Sequence, residues 1–168
     1  MMYIFDTNVF ITASRTFYGF DIAPGFWEWI KDAGLTNAAS SVHTKSEINA
    51  GKYSMEEDPL KAWAAGVRSD FWVDDTVETV AAMVELREWA EAPQRPYLES
   101  AVADFLDSVD FRIIAQAKAQ GAILVTHELS EPQRRNRVKI PDACTGVGVV
   151  SLDPIAAYRS LGLRLNAA

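Results

Sequence analysis

Carboxylates recur where the chain is expected to leave a strand or enter a helix. Asp6 directly follows the β-prone run Tyr3-Ile4-Phe5, and Glu47 lies a few residues beyond a weakly β-prone stretch over 36–42. Asp110 opens an apolar helical pattern, and Glu128 stands two residues past the strand expected over 122–126. Asp142 follows Lys139-Ile140-Pro141. A single cysteine, Cys144, rules out a Cys-rich zinc site, and two histidines, His43 and His127, leave little room for a His-based one. Converging carboxylates are hard oxygen donors of the kind that suit Mg²⁺ or Mn²⁺. Such ions activate water and neutralise charge on a phosphoryl group. Asp6 makes the sharpest case, because an ionised acid at a buried strand end is costly without a partner.

Each acid also has a plainer reading. Thr44 and Glu47 have the spacing of a capping box, Asp110 is a plausible N-cap, and Asp142 after Pro141 suits the start of a helical turn. Asp58 and Asp153, each before proline, read as caps rather than ligands. Glu128 reads equally as a solvated loop acid. His127 invites a general-base role, but a loop histidine beside acids is more often exposed or structural. The tryptophans Trp27, Trp29, Trp63, Trp72 and Trp89 are expected mostly in the core rather than stacked on bases. The dense basic run Arg134, Arg135, Arg137 and Lys139 is either a solvated loop or a set of phosphate-binding cations at the rim of the acidic site. Cys144 reads as a small buried hydrophobe.

The elements that must position these residues alternate in type. A helix is expected from Pro24 to a stop at Gly34, then the strand over 36–42, then helices from Thr44 to Gly51 and from Asp58 to Arg68. A short strand over 71–73 precedes a helix over 75–92, with Val77, Val80, Ala81, Val84 and Leu86 near a 3.6-residue period. Helices over 97–106 and 110–121 lead into the continuous apolar run 122–126, the kind of strand buried in a parallel sheet. Short strands are expected over 138–140 and 148–152, and a last helix over 153–161. This alternation predicts an α/β fold with a mostly parallel sheet covered by helices on both faces, in one domain. Ligands in such sheets bind beyond the carboxyl ends of the strands, where the acids fall.

The chain of 168 residues is 49% hydrophobic and 23% charged, which argues against disorder. No signal peptide or spanning segment is visible, so a cytoplasmic protein without membrane partners is the expectation. A net charge of −7 weighs against nucleic acid, unless several of the acids form one metal-neutralised site.

Tyr3-Ile4-Phe5-Asp6-Thr7-Asn8-Val9-Phe10-Ile11 resembles the opening of PIN domains, where an Asp-x-Asn element supplies the first metal carboxylate. Asp110-Phe111-Arg112-Ile113-Ile114-Ala115-Gln116-Ala117 and Gly121-Ala122-Ile123-Leu124-Val125-Thr126-His127-Glu128 resemble that family's second half. The segments 20–27 and 139–144 look like those of a bacterial PIN-like subfamily of largely uncharacterised proteins, and the likeness spans nearly the whole chain. The resemblance implies a single-domain three-layer α/β/α sandwich and an Mg²⁺- or Mn²⁺-dependent, VapC-like ribonuclease, often the toxin of a type II toxin–antitoxin pair. Asp6, Glu47, Asp110 and Glu128 would form the acidic cluster, with Asn8 and Thr126 orienting carboxylates. The family's fourth acid is usually Asp. Glu128 departs from that, and Asp142 would supply the missing reach as a further metal ligand. Asp104 and Asp107 compete with Asp110 as third ligand; the sixteen-residue spacing from Asp110 to Thr126 favours Asp110. An RNA substrate, a cognate antitoxin and a homodimer are implied in the same way. Two other readings stay open: a catalytically inactive module binding RNA or protein, and phosphoryl transfer through an aspartyl phosphate at Asp6.

Overall fold

Parallel strands built from very short apolar runs organise the molecule, seen here in a computed structural model that describes residues 1–33, 37–51 and 56–165. The first strand, β1 (Tyr3–Phe5), is flanked by β2 (Ala38–Ser41) and β4 (Ile123–Val125), with Ile4 opposite Ala39 on one side and Leu124 on the other. β3 (Trp72–Val73) and β5 (Ser151–Leu152) complete the sheet in the order β3-β2-β1-β4-β5, every pair parallel. The chain moves outward from β1 to β3, then returns to the other side of β1. That reversal puts a topological switch point between β1 and β4, where open α/β sheets bind their ligands.

Nine α-helices are described: α1 (Thr7–Thr12), α2 (Pro24–Ala33), α3 (Val42–Ala50), α4 (Pro59–Gly66), α5 (Val77–Glu91), α6 (Glu99–Leu106), α7 (Val109–Ala119), α8 (Ile140–Gly146) and α9 (Pro154–Ser160). Alternation along β1 and β4 feeds two separate cores. Phe5 and Val125 face an aromatic layer with Phe10, Phe26, Trp27, Trp63, Phe71 and Tyr158. Ile4 and Leu124 face an aliphatic layer with Leu86, Ile113, Ile114, Ile140 and Cys144. Four of the five tryptophans are buried and Trp29 packs against the aromatic layer, so they belong to the core as expected. Cys144 is fully buried, and burial pushes its thiol up to about 12.

Several expectations are corrected. The chain turns helical at Thr7 directly after Asp6, which places Val9-Phe10-Ile11 in α1. The strand expected over 138–140 is absent; Ile140 and Pro141 open α8, where proline's fixed φ suits the first turn. On α5 the buried positions are Thr79, Ala82, Leu86, Trp89 and Ala90, while Val77 is 82% exposed and Val80 and Val84 are each 55% exposed. The valine stripe therefore faces outward, and Leu86 and Trp89 on the opposite side of the helix take the core. The expected stop at Gly34 and strand start at Thr36 lie outside the described residues. Asp58 and Asp153 do cap α4 and α9, accepting from the amides of Leu60 and Ala156 at 3.0 Å each.

Candidate metal centre

Both capping readings of the central acids fail. α3 is capped by Ser41, whose hydroxyl accepts from the His43 amide at 3.0 Å, so Glu47 lies in the helix body. Thr44 is buried instead and accepts from the Thr7 hydroxyl at 3.2 Å, which ties α3 to α1 beside Asp6. α7 is capped by Ser108, accepting from the Phe111 amide at 3.2 Å, and Asp110 is left in the first turn without that duty.

Asp6 ends β1 at the switch point and is 1% exposed. Its amide donates to the Val125 carbonyl at 2.9 Å, and the Thr126 hydroxyl donates to Oδ2 at 3.0 Å. Although Asp6 is the N-cap of α1, its side chain makes no capping hydrogen bond, and Oδ1 is buried with no partner. Burial pushes its carboxyl up to about 7, with the Asp110 charge adding to the rise, while the Thr126 hydroxyl and the amide dipole of Asn8 pull it back. Asp110 is likewise pushed up to about 6, by burial first and then by Glu128, with Glu47 adding a smaller repulsion. Arg137 and Lys139 oppose that rise. These acids thus share one field, and neither Asp6 nor Asp110 has a close cation of its own; Arg137 stands 3.9 Å from Asp110.

The rest of the expected set divides. Thr126 orients Asp6 directly, and it also accepts from the Glu128 amide at 3.1 Å, which fixes the turn after β4. The Asn8 side chain is exposed, so Asn8 acts on Asp6 through its backbone amide rather than as the orienting side chain expected. Glu47 is exposed on α3 and reaches the cluster only by its charge. Glu128 faces the cluster but is occupied: Oε1 accepts from Arg137 at 2.8 Å and Lys139 at 3.2 Å, and Oε2 accepts from the Ile140 amide at 2.9 Å. Asp142 does not supply the missing reach. It accepts from the Ser130 hydroxyl and from the Glu131 amide at 2.9 Å, which locks the loop before α8. Asp104 and Asp107 lie on and just after α6, without the electrostatic coupling to Asp6 that Asp110 has.

Of the basic run, Arg137 and Lys139 reach the acids, whereas Arg134 pairs with Glu131 and Arg135 donates to the Pro96 carbonyl at 3.2 Å. His127 is exposed, its ring 6.3 Å from that of Phe17, and burial of part of the ring lowers its pKa. An open cleft runs from Asn8 and Thr12 past His127 and Leu129 to Lys139.

A second acid cluster went unflagged in the sequence. Asp75, beyond β3, lies 2.9 Å from His43 Nε2, 3.2 Å from Arg112 and accepts from Gln116 at 2.8 Å. Its place just after Trp72-Val73 obeys the same strand-end rule that singled out Asp6.

Among the described residues no three acids, histidines or cysteines stand together as a ready cage for a metal ion. A partial donor set does fit a hard divalent cation. The unpartnered Asp6 Oδ1 and Asp110, whose nearest cation is Arg137 at 3.9 Å, supply one or two carboxylates, and Mg²⁺ characteristically takes that few from protein while keeping several waters.

Residues 3–165 match the family described as a domain of unknown function, DUF4411. The chain belongs to that family. Among curated proteins nothing matches. Among solved structures, this DUF4411 chain is similar to a chain of VapBC2 from Rickettsia felis, whose crystal structure was determined bound to a DNA fragment from their promoter. The identity is 16%, the TM-score 0.52, and the likeness covers 91% of this chain and 98% of that one, which shows a common fold. The five-stranded parallel sheet between helical layers is consistent with a PIN-like fold. Among the described residues no helix of this DUF4411 member is long and apolar enough to cross a membrane.

Proposed function

We propose that this protein is a PIN-like, Mg²⁺- or Mn²⁺-dependent endoribonuclease that hydrolyses RNA phosphodiester bonds. The observation that carries the reading is the buried Asp6 with the partly buried Asp110 at the switch point: Asp6 is raised in pKa by burial and the Asp110 charge, Asp110 by burial and Glu128, and Asp6 keeps an orphan carboxylate oxygen. Buried acids without internal compensation persist where a ligand supplies the missing charge. A divalent ion held there supplies an activated water and neutralises charge developing on the phosphate.

The chain's own groups divide the remaining work. Asp6 and Asp110 would hold the ion, and the Thr126 hydroxyl fixes Asp6 through Oδ2 while Oδ1 stays unpartnered. Glu47 deepens the negative potential that draws the cation in. Arg137 and Lys139 keep donors beyond those given to Glu128, and at the rim they would take the oxygens of the incoming phosphate. The likeness to a chain of a VapBC2 complex supports a toxin role with a cognate antitoxin as protein partner, and a homodimer fits the same setting.

The decisive experiment incubates single-stranded RNA with the protein and Mn²⁺ or Mg²⁺, beside a DNA strand of the same sequence. RNA cleavage that disappears in Asp6→Asn and in Asp110→Asn is expected. Cutting at the wild-type rate by either variant overturns the mechanism, and cutting of DNA alone overturns the substrate.

A further inference from the structure

The acidic cluster carries its own cations on one side only. Glu128 is 10% exposed at its side chain and Lys139 13%, so their contact is largely withdrawn from solvent. Arg137 spans from Glu128 at 2.8 Å to Asp110 at 3.9 Å. The third donor to Glu128 is the Ile140 amide, which comes from the backbone and cannot turn aside. A divalent ion seated on Glu128 would therefore lie within a few ångströms of an ammonium and a guanidinium that repel it.

We propose that this is a one-ion site, in which Lys139 and Arg137 stand where a second divalent ion would bind between Glu128 and Asp110. The inference rests on the reading of Asp6 and Asp110 as metal ligands. Charge counting for the ion-bound, fully ionised cluster agrees with it: Asp6, Glu47, Asp110 and Glu128 then carry four negative charges, and Arg137 and Lys139 return two. The residue of −2 is what one divalent ion neutralises, whereas two ions would leave the cluster positive. The free oxygen belongs to Asp6, whose Oδ1 is partnerless, while both oxygens of Glu128 are engaged. In this arrangement Glu128 is a positioning residue. It holds the two cations against the cluster, and the longer glutamate side chain reaches the α8 amide while doing so.

Calorimetry and Mn²⁺ electron paramagnetic resonance on the whole protein test this without reference to cleavage. One Mn²⁺ per chain is expected, weakened about 100-fold or more by Asp110→Asn and about tenfold or less by Glu128→Gln, since an ion's own ligand costs more than a neighbour's. Arg137→Gln with Lys139→Gln is expected to release Glu128 and admit a second, weaker Mn²⁺. Because uncoupling a buried pair threatens the fold, circular dichroism melts accompany that variant, and the Glu128→Gln result stands independently of it. Two ions in the wild type, falling to one in Glu128→Gln, overturn the one-ion proposal and leave the metal reading intact. No Mn²⁺ at millimolar concentration overturns both.

Discussion

Asp6 and Asp75 both follow strands of the same sheet, yet the molecule treats them in opposite ways. Asp75 is met by His43, Arg112 and Gln116; burial pushes its carboxyl up, but the hydrogen bonds from His43 and Gln116 and the nearby positive charge outweigh that and hold it below its usual value. Asp6 is met by one hydroxyl and another acid, and it rises to about 7. A strand-end acid satisfied from within fastens elements together: Asp75 links the end of β3 to α3 and α7. A strand-end acid left unsatisfied stores an electrostatic debt that only something from outside can settle. Position alone does not separate the two; the company each acid keeps does.

The contrast breaks most visibly in cleavage. Asp110→Asn should lower the Mn²⁺-dependent rate about 10²–10³-fold, the scale on which a charge-stabilising group is lost, whereas Asp75→Asn should stay within about threefold once folded protein is counted. Single-turnover rates on one RNA measure both; equal losses would put Asp75 in the reacting centre and dissolve the distinction.

The pH dependence of stability comes next. Asp6 has a folded pKa of about 7, above its value of 3.8 when unfolded, so the native state holds the extra proton. Metal-free protein should then be more stable at acid pH and lose on the order of 2–4 kcal/mol as pH rises from about 4 to 7, with Asp110 sharing in that loss. Asp75 works in the other direction: its depressed pKa adds stability above the ordinary carboxylate range, lost as pH falls through it. Urea melts in a chelator across pH 5 to 8 read the sum. Asp6→Asn should flatten the neutral limb, and a slope unchanged by that substitution would contradict the burial described for Asp6.

The smallest effect sharpens the role of the one hydroxyl. Thr126→Val keeps the shape but removes both the donor to Asp6 Oδ2 and the acceptor of the Glu128 amide, so Mn²⁺ affinity should fall about tenfold and the melting temperature should drop with it. Unaltered affinity would mean that the orientation of Asp6 is set by β1 alone.

Much of this was legible from local pattern. Tyr3-Ile4-Phe5 and the run ending in Val125 announced the two central strands, and strand-end position picked out Asp6. Asp58 and Asp153 showed themselves as caps because Pro follows each. What stayed hidden was decided by distant partners. The Thr44 and Glu47 spacing imitates a capping box, but Ser41 begins the helix three residues earlier, where the backbone leaves β2. The valines of α5 follow a helical period, and only the packing of Leu86 and Trp89 against α7 and α8 shows which stripe turns inward. Nothing near Glu128 in sequence forecasts that Arg137, Lys139 and the Ile140 amide converge on it, since that requires the intervening loop to fold back. Asp142 is expected to supply the reach that Glu128 in place of an Asp leaves short, yet it bonds to Ser130 and Glu131 in that same loop.

The hydrogen bond from Thr126 to Asp6 joins residues 120 positions apart, across two strands that are neighbours in space. Pairing of this kind forms late, because closing so long a loop costs entropy before any contact repays it. During synthesis β1 emerges first and must wait for β4, so no shorter nascent chain holds the acids in working geometry. A site assembled this way is incomplete until most of the chain has been made.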